Sequence, residues 1–378
     1  MHVLWTPSWY PSPDQPFDGS FFAEQATMLR GTGVKVGVIA LKPRSVWQRP
    51  RRRSIDTHVI RAGMAQVPKG ALPGDDAIIR GKARSLARAY ERRWGIPDIV
   101  HAHSVFPGIL LARHLAARWQ VPYGLTEHRP STLNRPSRPR FAAIEKAVDG
   151  TDFRAAVSTP FAEQLAASYG KPFDVISLPV PDSFFAEPIP RTPGKPLTFV
   201  HVSHLDANKR VLQLIDAFAR AHRTDPSIRL RIIGGTPERV EGARERAQHA
   251  GVGQAVDFLG TIDREKIAPA MAQGDCFVLT SAKEAGGTVF SEAQSLGLPC
   301  IASATWAGRH SVVPSAGTVV PIDDEDALVA AFAMMSEGIR AGTYPRQAIR
   351  NRARQRFSAQ AFTTRQIKIY ESALNTHG

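Results

Sequence analysis

The chain has 378 residues, 43% of them apolar and 22% charged, with a net charge of +14 at neutral pH. That length is two or three domains' worth at ~100–200 residues each, and the composition supports a packed core and excludes wholesale disorder. The longest apolar runs, such as residues 109–112 and 276–279, fall far short of the ~20 residues of a membrane span.

Short apolar and β-branched runs predict strands at 2–6, 34–41, 98–101, 122–126, 153–157 and 174–177. Helical spacing marks 20–31, a basic amphipathic stretch ending at Trp94, 108–119 and 160–169. Pro179-Val180-Pro181, Pro188-Ile189-Pro190 and Pro193-Gly194-Lys195-Pro196 then form an aperiodic, proline-rich passage that reads as a linker. The alternation restarts beyond it, with strands at 197–203, 230–234, 256–259, 275–279, 299–302 and 318–321. Helices are expected at 209–222, 237–250, 263–274, 288–296 and 324–337, and a last one at 358–374. Strands alternating with helices predict parallel sheets covered on both faces. The domains are therefore 1–185 and 195–355, with 356–378 packing back on the first.

The first seven residues lack a basic region leading into a long apolar stretch, so no signal peptide is expected. Cys276 and Cys300 make no disulfide framework, and a cytoplasmic location follows as the expectation. The positive charge is denser early: +9 over the first 190 residues against +5 over the rest. Such a field attracts nucleic acid, acidic headgroups or phosphorylated small molecules, although solubility in an arginine-rich chain gives the same count. No platform of aromatics interleaved with basic residues is present, so nucleic acid is not the expected partner. Arg80, Lys82, Arg84, Arg88, Arg92 and Arg93 surround Ile79, Leu86, Tyr90 and Trp94; that helix packs its apolar stripe on its own sheet and leaves arginines for anionic lipid. Trp47 lies in a second basic stretch, 42–53.

Ligands of open parallel sheets collect beyond the carboxyl ends of the strands, which directs attention to the residues just after each strand. Ser281-Ala282-Lys283-Glu284-Ala285-Gly286-Gly287-Thr288-Val289-Phe290-Ser291-Glu292 follows the strand ending near Leu279. Its glycine pair opens a helix whose first N–H groups suit a diphosphate, and Glu284 and Glu292 offer acceptors to sugar hydroxyls on either side. Val202-Ser203-His204 leads to Lys209 at the start of the next helix, a position where a cation opposes the helix dipole. His101-Ala102-His103 has metal-ligand spacing but no accompanying ligands, so no metal is expected.

These residues resemble glycosyltransferase family 4, retaining enzymes of the GT-B architecture. Glu284 to Glu292 is similar to that family's donor signature, and Val202-Ser203-His204 through Lys209 to its Gly-Arg…Lys element. Trp9-Tyr10-Pro11, Asp18-Gly19-Ser20-Phe21, Asp98 through His103, Ala156-Val157-Ser158, Ile232-Ile233-Gly234-Gly235 and Phe258-Leu259-Gly260 extend the likeness over nearly the whole chain. The resemblance implies two Rossmann-like domains facing an interdomain cleft. It implies a retaining, metal-independent hexosyltransferase without a resident cofactor, moving sugar from a UDP- or GDP-sugar to a glycan or lipid-linked acceptor in surface polysaccharide or glycolipid synthesis. Carried over by position, Glu284 contacts the transferred sugar and Glu292 the ribose, while Gly286, Gly287, Thr288 and Val289 hold the diphosphate. Lys209 neutralises the leaving nucleotide, Gly19 and Gly234 approach the donor, and Ile262 marks backbone contacts to the base. His128 stands near the reacting centre, with His103 and Arg129 on the acceptor side.

Two departures stand out. His204 occupies the family's arginine position, and Gly308-Arg309-His310 stands where relatives often carry an acidic residue; Arg309 offsets part of the lost charge. A histidine with a reference pKa near ~6.5 is only partly charged at neutral pH. The alternative expectation is therefore a catalytically weak sugar-nucleotide-binding subunit of the same fold.

Overall fold

In Cys276-Phe277-Val278-Leu279 every side chain is buried, and successive residues serve opposite faces: Cys276 and Val278 join one core cluster, Phe277 and Leu279 another. That is what a strand covered by helices on both sides requires. The structure, a computed structural model, describes residues 1–16, 18–45, 54–66, 74–134, 138–185 and 196–377. Trp47 and most of the proline-rich passage, 186–195, lie outside the described residues.

The chain divides into two units, Met1–Ser177 with Phe362–Gly378, and Leu178–Ala361. In the first, strands β1 (His2–Pro7), β2 (Lys35–Ser45), β3 (Ser54–Ile55), β4 (Val59–Gln66), β5 (Ile99–His103), β6 (Tyr123–Glu127), β7 (Phe153–Ala156) and β8 (Asp174–Val175) form one sheet in the order β3-β4-β2-β1-β5-β6-β7-β8. Every pairing is parallel except β3 with β4. Its helices are α1 (Ser20–Arg30), α2 (Asp75–Trp94), α3 (Leu110–Trp119), α4 (Arg138–Asp149) and α5 (Thr159–Tyr169). In α2, Ile79, Leu86 and Tyr90 are buried while the arginines named above are exposed.

The second unit holds β9 (Leu197–Val202), β10 (Ile228–Ile233), β11 (Val256–Gly260), β12 (Cys276–Leu279), β13 (Cys300–Ser303) and β14 (Gly317–Val320), ordered β11-β10-β9-β12-β13-β14 and all parallel. Its helices are α6 (Val211–Thr224), α7 (Pro237–His249), α8 (Arg264–Ala272), α9 (Thr288–Ser295), α10 (Trp306–Ser311), α11 (Glu325–Arg340) and α12 (Arg346–Phe357). The strand order reverses between β9 and β12, and in the first unit between β1 and β5.

The division falls at Ser177 rather than near residue 185. Val180 N donates to the Phe357 carbonyl at 2.8 Å, and Val180, Phe184 and Phe185 sit in a second-unit core with Ala353 and Phe357. Apolar burial, not the prolines, sets the boundary. α13 (Ala359–Thr376) sends Phe362, Tyr370 and Ala373 into the first unit's core beside Val3, Trp5 and Phe153. The Tyr370 hydroxyl accepts from Trp5 Nε1 at 3.0 Å and lies 2.7 Å from His101 Nδ1. With that hydroxyl donating to Nδ1, His101 Nε2–H donates to Thr126 Oγ1 at 2.8 Å. Tyr370→Phe leaves the buried Trp5 N–H unpaired. The expected loss is about 1–3 kcal/mol of first-unit stability, read by urea unfolding; an unchanged midpoint contradicts this role.

Candidate functional site

At the β9/β12 reversal two loops leave the sheet side by side, and Asn208 locks them together. Its side chain donates to the Lys283 carbonyl and accepts from Lys283 N, both at 3.0 Å, and its carbonyl accepts from Ala282 N at 2.8 Å. Asp206 accepts from Asn208 N at 3.0 Å and shapes the short turn 207–209. The Lys209 carbonyl in turn accepts from Thr280 Oγ1 at 3.1 Å. Leu205 (φ 52) and Arg210 (φ 55) bracket the loop in the left-handed region, which costs non-glycine residues about 1–2 kcal/mol each and persists only where neighbours enforce it. The product of this framework is one contact: Lys209 Nζ to Glu284 Oε2, 2.6 Å.

His201, buried in β9, supports the same loop. With Nδ1 donating to the Val278 carbonyl at 3.0 Å, Nε2 accepts from Ser203 Oγ at 2.8 Å, and Ser203 Oγ accepts from Leu205 N at 3.0 Å. Burial holds the imidazole down at about 4, against the carbonyl's upward pull. His204 is exposed and its carbonyl accepts from Arg239 Nη1 at 2.9 Å, so a guanidinium stands beside the position where the family has arginine. Arg309 is also exposed, with Nε 3.3 Å from the Ala304 carbonyl.

Gly287 caps α9 at φ 57, ψ 52, and a Cβ there meets the Ala307 methyl at 2.7 Å. Phe290 N turns back to the Gly287 carbonyl, so the first-turn N–H groups of Thr288 and Val289 point outward along the helix axis. Ala307 N donates to the Glu284 carbonyl at 3.0 Å, tying this loop to α10. Gly234 (φ 103) approaches Ser203 so closely that a Cβ would lie 2.0 Å from its carbonyl oxygen. Ile262 packs its side chain on the core, leaving its backbone for contacts. Buried Glu292 receives Arg264 Nη2 at 2.5 Å. Sequence reasoning missed Asn208, Arg239 and Arg264; the signal for Arg264 was a cation at a helix's first residue, against the dipole.

The first unit gathers a different set beyond β1, β5 and β6. Glu127, fully buried, accepts from Ser104 Oγ (2.6 Å), Val105 N (2.9 Å), His128 N (2.7 Å) and Arg129 N (2.8 Å). Burial outweighs these four donors and keeps its carboxyl above the usual range. This positioning residue was missed too, although it directly precedes His128 in the sequence. His128 Nε2 lies 3.2 Å from His103 Nδ1, and neither His103 Nε2 nor His128 Nδ1 has a hydrogen-bond partner among the described residues. Whichever imidazole donates in that pair, one N–H is left over. When His103 donates, the leftover N–H is on His128 Nδ1; when His128 donates, it is on His103 Nε2, and both of these nitrogens are buried. Burial and the neighbouring Arg129 hold His128 down at about 3, so it is neutral. Arg129 lies 3.6 Å over the Trp9 ring, and Gly19 (φ 75) caps α1 against Trp9.

Each unit carries an open α/β sheet whose strand order reverses at the loops just described, the place where such sheets hold ligands. The family description "Glycosyltransferase Family 4" matches residues 19–184 and "Glycosyl transferases group 1" matches 183–356. The chain belongs to this family of group 1 glycosyltransferases. It is 26% identical over 324 residues, 80% of each chain, to the Bacillus subtilis protein TuaC, whose name assigns it to teichuronic acid biosynthesis as a glycosyltransferase. It is 26% identical over 333 residues to the D-inositol 3-phosphate glycosyltransferase of Pseudarthrobacter chlorophenolicus, covering 78% of this chain and 77% of that one. The Anabaena protein HepE, solved in complex with UDP, superposes with a TM-score of 0.74 over 98% of this chain and 100% of its own, at 15% identity. Among the described residues no helix is long and apolar enough to cross a membrane.

Proposed function

We propose that the protein transfers a hexosyl group, with retention of anomeric configuration, from a UDP- or GDP-sugar held by the second unit to a glycan or lipid-linked acceptor held by the first. The observation that carries this reading is the Lys209–Glu284 pair at the β9/β12 reversal, beside the open end of α9. Breaking the anomeric C–O bond leaves positive charge on the sugar and an added negative charge on the diphosphate. Lys209 and the α9 N–H groups meet the latter, with Arg239 in the first turn of α7 and Arg309 in α10 adding positive charge, and Glu284 faces the former. Attack on the same face, with the leaving phosphate taking the acceptor's proton, needs no second carboxylate. Glu292 binds the ribose and exchanges its Arg264 contact for a hydroxyl. HepE's complex with UDP supports a uridine donor, while the base contacts expected around Ile262 are backbone contacts and leave GDP open. The exposed arginines of α2 support peripheral contact with an anionic membrane from the cytoplasmic side.

A thermal-shift panel of UDP, GDP, ADP and their sugars tests the donor site. At 100 times its dissociation constant a ligand adds ~2.7 kcal/mol of stability. One nucleotide is expected to shift the wild type and to lose that shift in Glu292→Ala. No shift from any nucleotide, or an equal shift in the variant, overturns the assignment.

A further inference from the structure

Strand β4 runs parallel to β2, with Ala40 opposite Arg61, Lys42 opposite Gly63 and Arg44 opposite Ala65. Paired residues of a parallel ladder project to one face and alternate along each strand, so Lys42, Arg44 and Arg61 share a face. Ala40 and Gly63 contribute almost no side chain to it. The space they leave is a cavity of about 510 Å³, walled by Trp9 and Tyr10 from the loop after β1 and by Arg129 from the loop after β6. Small-molecule sites span about 300–1,000 Å³, so a sugar-sized ligand fits.

The cations are held in place. Arg61 Nε donates to the Pro11 carbonyl at 3.0 Å, Lys42 Nζ bonds Gln15 Oε1, and Arg129 rests on Trp9. The lining carries Lys42, Arg44, Arg61 and Arg129 against Asp14 and Asp18, a net charge of +2. Asp56, outside the lining and largely exposed, stands 3.7 Å from Arg61. A phosphate monoester carries about −1.5 to −2 near pH 7 and brings three strong acceptor oxygens, which matches this charge. A carboxylate leaves one positive charge uncompensated.

We propose that this cavity is a phosphate subsite and that the acceptor carries a phosphomonoester or diphosphate at the end remote from its reacting hydroxyl. The proposal rests on the transferase reading above and narrows its acceptor to phosphate-bearing sugars, whether soluble or lipid-linked. His128 and the Trp9–Arg129 stack lie on the side of the cavity toward β5 and β6, where the reacting hydroxyl sits.

Tryptophan-fluorescence titration tests it, because Trp9 lines the cavity. The probes are glucose 1-phosphate, glucuronic acid, glucose, and dodecyl phosphate in nonionic detergent micelles, each against wild type and the K42Q/R61Q double variant. Glucose 1-phosphate is expected to bind wild type at least tenfold more tightly than glucuronic acid, to weaken with added salt, and to lose at least tenfold in the double variant. Binding of dodecyl phosphate micelles without glucose 1-phosphate, again lost in the variant, identifies a lipid source for the same phosphate. Equal binding to the variant, glucuronic acid as tight as glucose 1-phosphate, or no binding of either phosphate probe overturns the proposal. Should the double variant fail to unfold cooperatively, Lys42→Gln alone, at an exposed side chain, must still cost at least threefold. Loss of the nucleotide shift in the wild type sinks the transferase reading. An intact nucleotide shift with no phosphate discrimination sinks this subsite alone.

Discussion

Glu284→Gln and Lys209→Ala are each expected to lower kcat by about 10²–10³, the cost of removing one preorganised electrostatic contact to a developing charge, or about 2.7–4 kcal/mol. The two variants should diverge in nucleotide affinity. In the free protein Lys209 is engaged by Glu284 at 2.6 Å, and a bound diphosphate competes with that carboxylate for the same ammonium. Removing the charge of Glu284 frees Lys209 and removes a repulsion, so Glu284→Gln binds the nucleotide diphosphate as tightly as wild type or more tightly. Removing Lys209 leaves the diphosphate beside an unopposed carboxylate, so Lys209→Ala binds it more weakly. Turnover on the preferred sugar nucleotide, with binding read separately by thermal shift, checks both halves. Near-normal turnover in both variants removes this pair from the site. Equal losses of affinity in both variants point instead to a general disturbance of the loop that Asn208 holds.

Much of this arrangement was legible in the sequence because parallel strands buried on both faces announce themselves as unbroken apolar runs. The strand ending at Leu279 and the glycine pair opening α9 are local features, and so is the positive φ that Gly287 supplies. β4 escaped notice because Arg61-Ala62-Gly63 carries neither β-branched side chains nor alternation; its open face is the phosphate cavity rather than a core. α12 escaped because arginines dominate it, one of them (Arg350) itself buried, and its buried apolar residues are just Ile349, Ala353 and Phe357, four residues apart. Asn208, Glu127 and Arg264 act through hydrogen-bond partners that are 22 to 75 residues distant in the chain, as well as through near neighbours. No local pattern encodes such a contact. The same holds for the link from Tyr370 to Trp5 and His101, which spans nearly the whole chain.

Stability is expected to fall as the pH drops from 7.5 to 5.5, more steeply in the first unit than in the second. Four imidazoles are held neutral: His101 and His103 are pushed well below the ordinary value by burial and by neighbouring histidines, His128 to about 3, and His201 to about 4. The unfolded chain protonates these groups near ~6.5. Below that pH it binds protons that the folded chain refuses, so the free energy of unfolding declines until the folded-state values are reached. Between pH 7.5 and 5.5 each fully excluded imidazole costs about 1 kcal/mol by this linkage. The first unit, with three, loses about 3–4 kcal/mol, and the second unit, with one, about 1 kcal/mol. Glu127 has the opposite sign, since a raised folded-state pKa gains stability as the pH falls through it, but it is a single group against three. Five of the six tryptophans lie in the first 177 residues, so fluorescence-detected urea unfolding follows the first unit. Its midpoint should drop clearly between pH 7.5 and 5.5, and a midpoint unchanged over that range means that the three imidazoles are not excluded from solvent as their surroundings indicate.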